Sequence, residues 1–165
     1  MHGDAACLCY YFIPPVLIMC GIAGIVRFDD SPVEAERLEQ MLDRLRHRGR
    51  DNQGLVLGGR TESPQRRSCS RCAGIGLGHR RLSVIDLDDR AAQPMSYADG
   101  SLWITYNGEV YNYIELREEL EGLGYSFRTA SDTEVILAAY HCWGKECLTK
   151  LKGMYAFGLW DDRTG

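Results

Sequence analysis

The sequence lacks the charge imbalance that marks a nucleic-acid surface. It has 19 Lys and Arg against 23 Asp and Glu, a formal net charge of −4. Its one basic cluster, Arg46-His47-Arg48-Gly49-Arg50, is short and broken by glycine. An even, regular set of cysteines is also missing: the seven (Cys7, Cys9, Cys20, Cys69, Cys72, Cys142, Cys147) are odd in number and unevenly spaced. That speaks for reduced thiols in a cytoplasmic setting and against a disulfide framework. Cys69 and Cys72 form a CxxC, but no second CxxC or HxxxH supplies the remaining ligands that zinc needs, so no metal is expected.

A basic segment ahead of the apolar N-terminus is absent too. Ala5 to Val26 contains no charged residue, a length that can span a bilayer. Pro14-Pro15 interrupts that run, tyrosines stand close by, and glycines follow at 21 and 24. Without a basic flank a secretory signal fits poorly, and Met19 is too large to precede a lipoprotein cysteine. The run therefore divides. Residues 1–19 are read as a leader, propeptide or misassigned start, and Cys20 to Phe28 as a buried strand.

What is present turns on Met19-Cys20-Gly21-Ile22-Ala23-Gly24. A chain beginning at Cys20 carries a thiol and a free α-amine on one residue. An α-amine of pKa roughly 7.7–8.0 is partly unprotonated near neutrality, and a thiol of pKa about 8.5 needs such a base to attack quickly. Nucleophile and base then come from the same residue.

Further along, Ser31-Pro32-Val33-Glu34 reads as a capping box, and Leu38, Met41, Leu42 and Leu45 recur at helical spacing, predicting a helix over 32–46. Gly54–Gly58 predicts a short strand, 59–73 a solvated hairpin loop, and 74–87 a strand, tight turn and strand. Leu102–Tyr106 predicts a strand running into Asn107-Gly108, a strong hairpin signal. Asn112 and Glu115 cap one predicted helix, and Ser131-Asp132-Thr133-Glu134 caps another. Lys145–Leu151 predicts a helical turn, and Met154–Trp160 a strand buried on both faces. Helices and strands come in blocks, which points to one α+β domain with a largely antiparallel sheet.

Several residues have both a plain and a chemical reading. Cys20 is either a small buried hydrophobe or a nucleophile. Asn107-Gly108 is either a turn or an oxyanion hole, where a single donor is worth roughly 3 kcal/mol. Arg81, beside Arg80, is either a surface cation or a clamp on a substrate carboxylate. Asp132 is either a cap residue at a helix dipole or the anion that meets a substrate ammonium. A substrate with carboxylate, ammonium and an attackable carbonyl is an amino acid bearing a side-chain amide.

Five segments then match in order and spacing: Met19–Gly24, Arg46–Gly49, Arg80–Asp86, Tyr106–Asn112 and Ser131–Glu134. Over residues 19–162 the chain resembles the class II glutamine amidotransferase domain of glutamine-hydrolysing asparagine synthetases. The resemblance implies an N-terminal-nucleophile hydrolase, a four-layer αββα sandwich of two antiparallel sheets, truncated at its C-terminus and spanning 20–165. It implies Cys20 as nucleophile with its own α-amine as base, and Asn107 and Gly108 as oxyanion hole. It implies Arg81 on the α-carboxylate of L-glutamine, Asp132 on its α-ammonium, and Glu109, Arg48 and Gly49 lining the site. No cofactor is implied for this chain; ATP and Mg2+ would serve only a synthetase domain, absent here, that receives the ammonia. A homodimer is left open.

Three departures stand out. The leader covers the Cys20 α-amine, Arg50 replaces the family's proline after Arg48-Gly49, and the Arg-rich loop at 60–73 looks inserted. Three rival readings follow: a non-catalytic scaffold that keeps its leader, a protein anchored through Ala5–Val26, and an N-terminal-nucleophile acylase on another amide.

Overall fold

The structure is a computed structural model that describes residues 20–29, 31–50, 52–58, 66–69, 74–81 and 92–164. The leader at 1–19, the segment 82–87 and Cys72 lie outside the described residues. The first sheet holds β1 (Gly21–Val26), β2 (Asn52–Gly58), β3 (Arg66–Cys69) and β4 (Ile75–Arg81), in the order β1-β4-β2-β3. The second holds β5 (Met95–Tyr97), β6 (Leu102–Val110) and β7 (Gly153–Asp161), with β6 central. Three α-helices accompany them: α1 (Ala35–Arg44), α2 (Tyr113–Gly122) and α3 (Asp132–Trp143), with a 3-10 turn at Gly144–Thr149. All pairings are antiparallel except β2–β3, which is parallel.

Strand alternation explains how these parts stack. In β4 and β1 the two faces carry different residues, as a period of two requires. Ala23, Leu55 and Leu57 face α1 and pack with Leu38 and Leu42. Val56, Ile75 and Leu77 face the other way and meet Trp103 of the second sheet. The opposite face of the second sheet buries Leu102, Ile104, Tyr106 and Val110 against Leu116, Leu120 and the Val135–Ala139 run of α2 and α3. The order is thus α1, first sheet, second sheet, then α2 and α3.

Several expectations need correction. Ser31 does not cap α1, because its hydroxyl and N–H are both taken by Asp29 (2.7 and 3.2 Å). The helix begins at Ala35 with Glu34 at its cap position and no side-chain cap bond, while Val33 is buried in the core. Residues 66–69 of the expected loop form β3, which pairs parallel to β2 as no hairpin can. Asn107-Gly108 is not a turn: β6 runs straight through it, pairing Asn107 with Ala156 and Gly108 with Tyr155. Asn112 does precede α2, but its amide bridges Lys150 O (3.0 Å) and Lys152 N (2.8 Å) instead of capping. β7 is half-buried, with Met154 63% exposed, because it lies at the margin of its sheet among the described residues. The Ser131 cap is present: its Oγ accepts from Glu134 N.

Residues 20–26 of the uncharged N-terminal run belong to this fold, with β1 paired along its length to β4. Among the described residues, no helix is long and apolar enough to cross a membrane.

Candidate active site between the sheets

The two adjacent arginines are separated by alternation in β4. Even positions face α1: side chains added at Gly76 and Gly78 would run into Leu38 and Leu42. Arg80 follows them, donating from Nε to Leu42 O (3.0 Å) and from Nη2 to Asp43 Oδ1 (2.8 Å). Odd positions face the second sheet, as Ile75 and Leu77 do. Arg81, half-buried at the end of β4, falls on that face. Arg80 is therefore committed to the helix, and Arg81 belongs to the space between the sheets.

Cys20 is half-buried and immediately precedes β1. Gly21 is level with Arg80 and Ile22 with His79, so one further step sets Cys20 level with Arg81. Ile22 and Gly24 line a cavity between the sheets, and alternation gives Cys20 the same face. The loop after α1 closes over this end. Gly49 is buried, and a Cβ there would sit 2.5 Å from the Arg80 carbonyl carbon. Only a residue without a side chain lets Arg48-Gly49 lie on the Arg80–Arg81 backbone.

The second sheet supplies the facing residues. Trp103 packs with Ile75 and Leu77, and the Thr105 hydroxyl donates to Gly78 O at 2.9 Å. β4 and β6 therefore advance in the same direction across the gap. Two residues further along each strand, Arg81 and Asn107 arrive at the same end of the interface, and Cys20 with them. Gly108 has φ of 150°, and a Cβ would lie 2.3 Å from Met154 O. Glu109 is exposed, opposite Met154. The 190 Å3 cavity lies just inside this end, lined by Ile22, Gly24, Leu77, Thr105, Phe157 and Gly158.

Asp132 is the first residue of α3 and is half-buried. Its Oδ2 accepts from the Tyr106 hydroxyl (2.5 Å) and from Val110 N (3.0 Å). Those two donors bracket Asn107–Glu109, so the carboxylate stands beside that stretch of β6. Burial, followed by the bond to Asp132, pushes the Tyr106 hydroxyl well above the ordinary tyrosine range, and it stays a donor. Gln93 holds the strand from the other side: its Oε1 accepts from Tyr106 N (2.6 Å) and its Nε2 donates to Thr133 Oγ1 (3.4 Å).

The sequence reading assigned nothing to Tyr106, Gln93 or His79. Tyr106 and His79 lie inside or beside segments that were singled out, and only strand phase distinguishes their faces. Gln93 left no local signal. Among the described residues, no group of three or more His, Cys, Asp or Glu could hold a metal ion.

Residues 19–165 match the family model described as a glutamine amidotransferase domain. Asparagine synthetase [glutamine-hydrolyzing] 1 of Bacillus subtilis (strain 168) is 43% identical over 148 residues, covering 87% of this chain and 21% of that protein. A putative asparagine synthetase [glutamine-hydrolyzing] 2 of Methanocaldococcus jannaschii is 34% identical over 161 residues, covering 89% of this chain and 28% of that protein. The chain thus spans between about a fifth and just over a quarter of these curated relatives. Among solved structures, the glutamine phosphoribosylpyrophosphate amidotransferase of B. subtilis, complexed with ADP and GMP, superposes with a TM-score of 0.62. That match has 24% identity and covers 86% of this chain and 35% of that one, so it carries the fold alone.

Proposed function

The chain belongs to the class II glutamine amidotransferase domain family, related to the N-terminal part of asparagine synthetases, and from that premise we propose that it hydrolyses glutamine to glutamate and ammonia. The observation that carries this reading is the shared end of the inter-sheet face, where Cys20, Arg81 and Asn107 fall level.

The chemistry requires Cys20 to be the first residue. Its α-amine takes the thiol proton, and the thiolate attacks the side-chain amide carbon of glutamine. The oxyanion that forms is met by the Asn107 amide and the Gly108 N–H. The α-amine returns its proton to the leaving nitrogen, ammonia departs, and a γ-glutamyl thioester remains. Water then attacks the thioester, the amine takes its proton, and glutamate leaves with the thiol restored. Arg81 pairs with the substrate carboxylate and Asp132 with its ammonium, which selects a zwitterion over a neutral amide. Arg48, Gly49 and Glu109 shape the pocket walls. The succession of α1, two sheets, then α2 and α3 supports the reading of an αββα N-terminal-nucleophile hydrolase. The ammonia acceptor is an aspartate carboxylate activated with ATP and Mg2+ in a synthetase domain, and the setting is cytoplasmic.

The test combines mass spectrometry of the N-terminus with an ammonia assay. Protein beginning at Cys20 is expected to release ammonia from glutamine. Cys20→Ala should abolish release while leaving the circular dichroism spectrum unchanged. Equal turnover in the alanine variant, or full turnover by protein that still carries residues 1–19, would refute the mechanism.

A further inference from the structure

Asp132 occupies a position where an acid ordinarily serves its own helix. An aspartate in the first turn interacts with the helix N–H groups and the positive end of the dipole. Here that work is done elsewhere. Ser131 accepts from Glu134 N as the N-cap, and the Glu134 carboxylate turns away to Arg128 N, Thr129 N and the Thr129 hydroxyl. Asp132 is instead turned toward β6, where Oδ2 receives both the Tyr106 hydroxyl and the Val110 N–H. Two donors on one oxygen leave the other, Oδ1, with no hydrogen bond among the described residues. A carboxylate has acceptor capacity on both oxygens, so Oδ1 is available to a ligand.

Tyr106 is well suited to fix that orientation. Its ring is 3% exposed and packed in the core of the second sheet with Leu102, Ile104 and Val110. Gln93 holds its backbone N–H at 2.6 Å. A hydroxyl on a ring so enclosed has little freedom to wander, and a short charge-assisted O–H···O− bond is among the stronger kinds.

Resting on the reading of Asp132 as the partner of the glutamine α-ammonium, we infer that Tyr106 is the positioning residue for that subsite. Its hydroxyl pins Oδ2 so that Oδ1 faces the ammonium, and it thereby sets the preference for a zwitterionic amide over an amide without the amine.

Calorimetric titration of the full chain with L-glutamine and with 4-carbamoylbutanoate, which is glutamine without its α-amine, tests this directly. The parent should prefer glutamine. Tyr106→Phe should weaken glutamine binding roughly 10-fold, the scale of one hydrogen bond to a charged group, and leave 4-carbamoylbutanoate unchanged. A merely structural role would weaken both ligands together, and that result, or no change in either, would overturn the inference. Asp132→Asn, titrated in parallel, separates the two levels. If it keeps the glutamine preference, or the parent shows none, the Asp132 reading fails and takes this inference with it. If only Tyr106→Phe keeps the preference, the inference about Tyr106 fails alone. Should Tyr106→Phe not fold, 4-aminophenylalanine at position 106 retains a donor, and loss of the glutamine preference in that protein would equally count against the inference.

Discussion

Arg80 and Arg81 are chemically identical neighbours with opposite fates, and a one-residue step in a strand decides which is which. Arg80 is 8% exposed and donates to the Leu42 carbonyl and the Asp43 carboxylate. Asp43 is 72% exposed, so water screens the ion pair and the bond to the buried carbonyl matters more. Arg80→Ala should therefore cost stability, about 2 kcal/mol from a lost charged hydrogen bond and lost packing, read as a lower urea midpoint. Arg81→Ala should instead raise the KM for glutamine at least ~10-fold, the scale of a charged hydrogen bond to the carboxylate. Interchanged outcomes would mean that the phase of β4 is wrong, and with it the assignment of Arg81 to the inter-sheet space.

Among the elements, β6 is where local signals and tertiary context part most clearly. Asn-Gly between apolar runs specifies a tight turn only if nothing else claims the backbone. Here β7 pairs with β6 from Leu102 to Val110 and keeps it extended through Gly108. The glycine serves close approach, since a Cβ at φ 150° would meet Met154 O at 2.3 Å and Tyr155 Cα at 2.4 Å. Gly108→Ala should cost roughly 3 kcal/mol through strain and forced separation of the strands, visible as a lower melting temperature. An unshifted melting curve would argue against this close β6–β7 contact. Where sequence period matched the final surroundings, the elements were legible. The Leu38–Leu42 stripe of α1 and the Ser131 cap of α3 both appear where their patterns indicated. Ser31 misled because Asp29 competes for its hydroxyl at two-residue range, a rivalry that a capping pattern does not encode. β3 was illegible because its Arg-rich sequence shows no alternation, and its parallel pairing with the preceding strand leaves no hairpin signal. The residues proposed for the site carried motif signals, but the level placement of Cys20, Arg81 and Asn107 comes from strand register, which depends on partners the sequence does not name. Tyr106 and Gln93 escaped notice for the same reason, since each acts only through a contact between distant segments.

At the scale of the whole molecule, the two sheets meet through a small apolar cluster and through polar contacts centred on Thr105. His79, 1% exposed on β4, reaches Thr105 of β6 through Nδ1 at 3.3 Å. Because the Thr105 hydroxyl donates its proton to Gly78 O, its oxygen can only accept from His79, which fixes the proton on Nδ1. Nε2 then carries a buried lone pair with no hydrogen-bond partner among the described residues. Protonating it would place a buried charge between the sheets, near the Arg81 cation. Burial, with a smaller push from Arg81, draws the His79 pKa down from 6.5 to about 4. The sign of the linkage follows. Above pH 6.5 the ring is neutral both folded and unfolded, and its contribution does not vary. As pH falls from 6.5 toward 4 the unfolded chain takes up a proton that the folded chain refuses. Stability therefore declines across that window by up to roughly 3 kcal/mol and, for this group, no further below it. Carboxylates titrate in the lower part of the same range, so the informative quantity is a difference between proteins. Urea midpoints of the parent and of His79→Gln, followed from pH 7 to pH 4, should converge as pH falls, because only the parent loses the histidine contribution. Parallel curves would mean that the His79 pKa is the same in the folded and unfolded chain, so that the ring is not held from water and the sheets are joined without the cost of keeping an imidazole neutral.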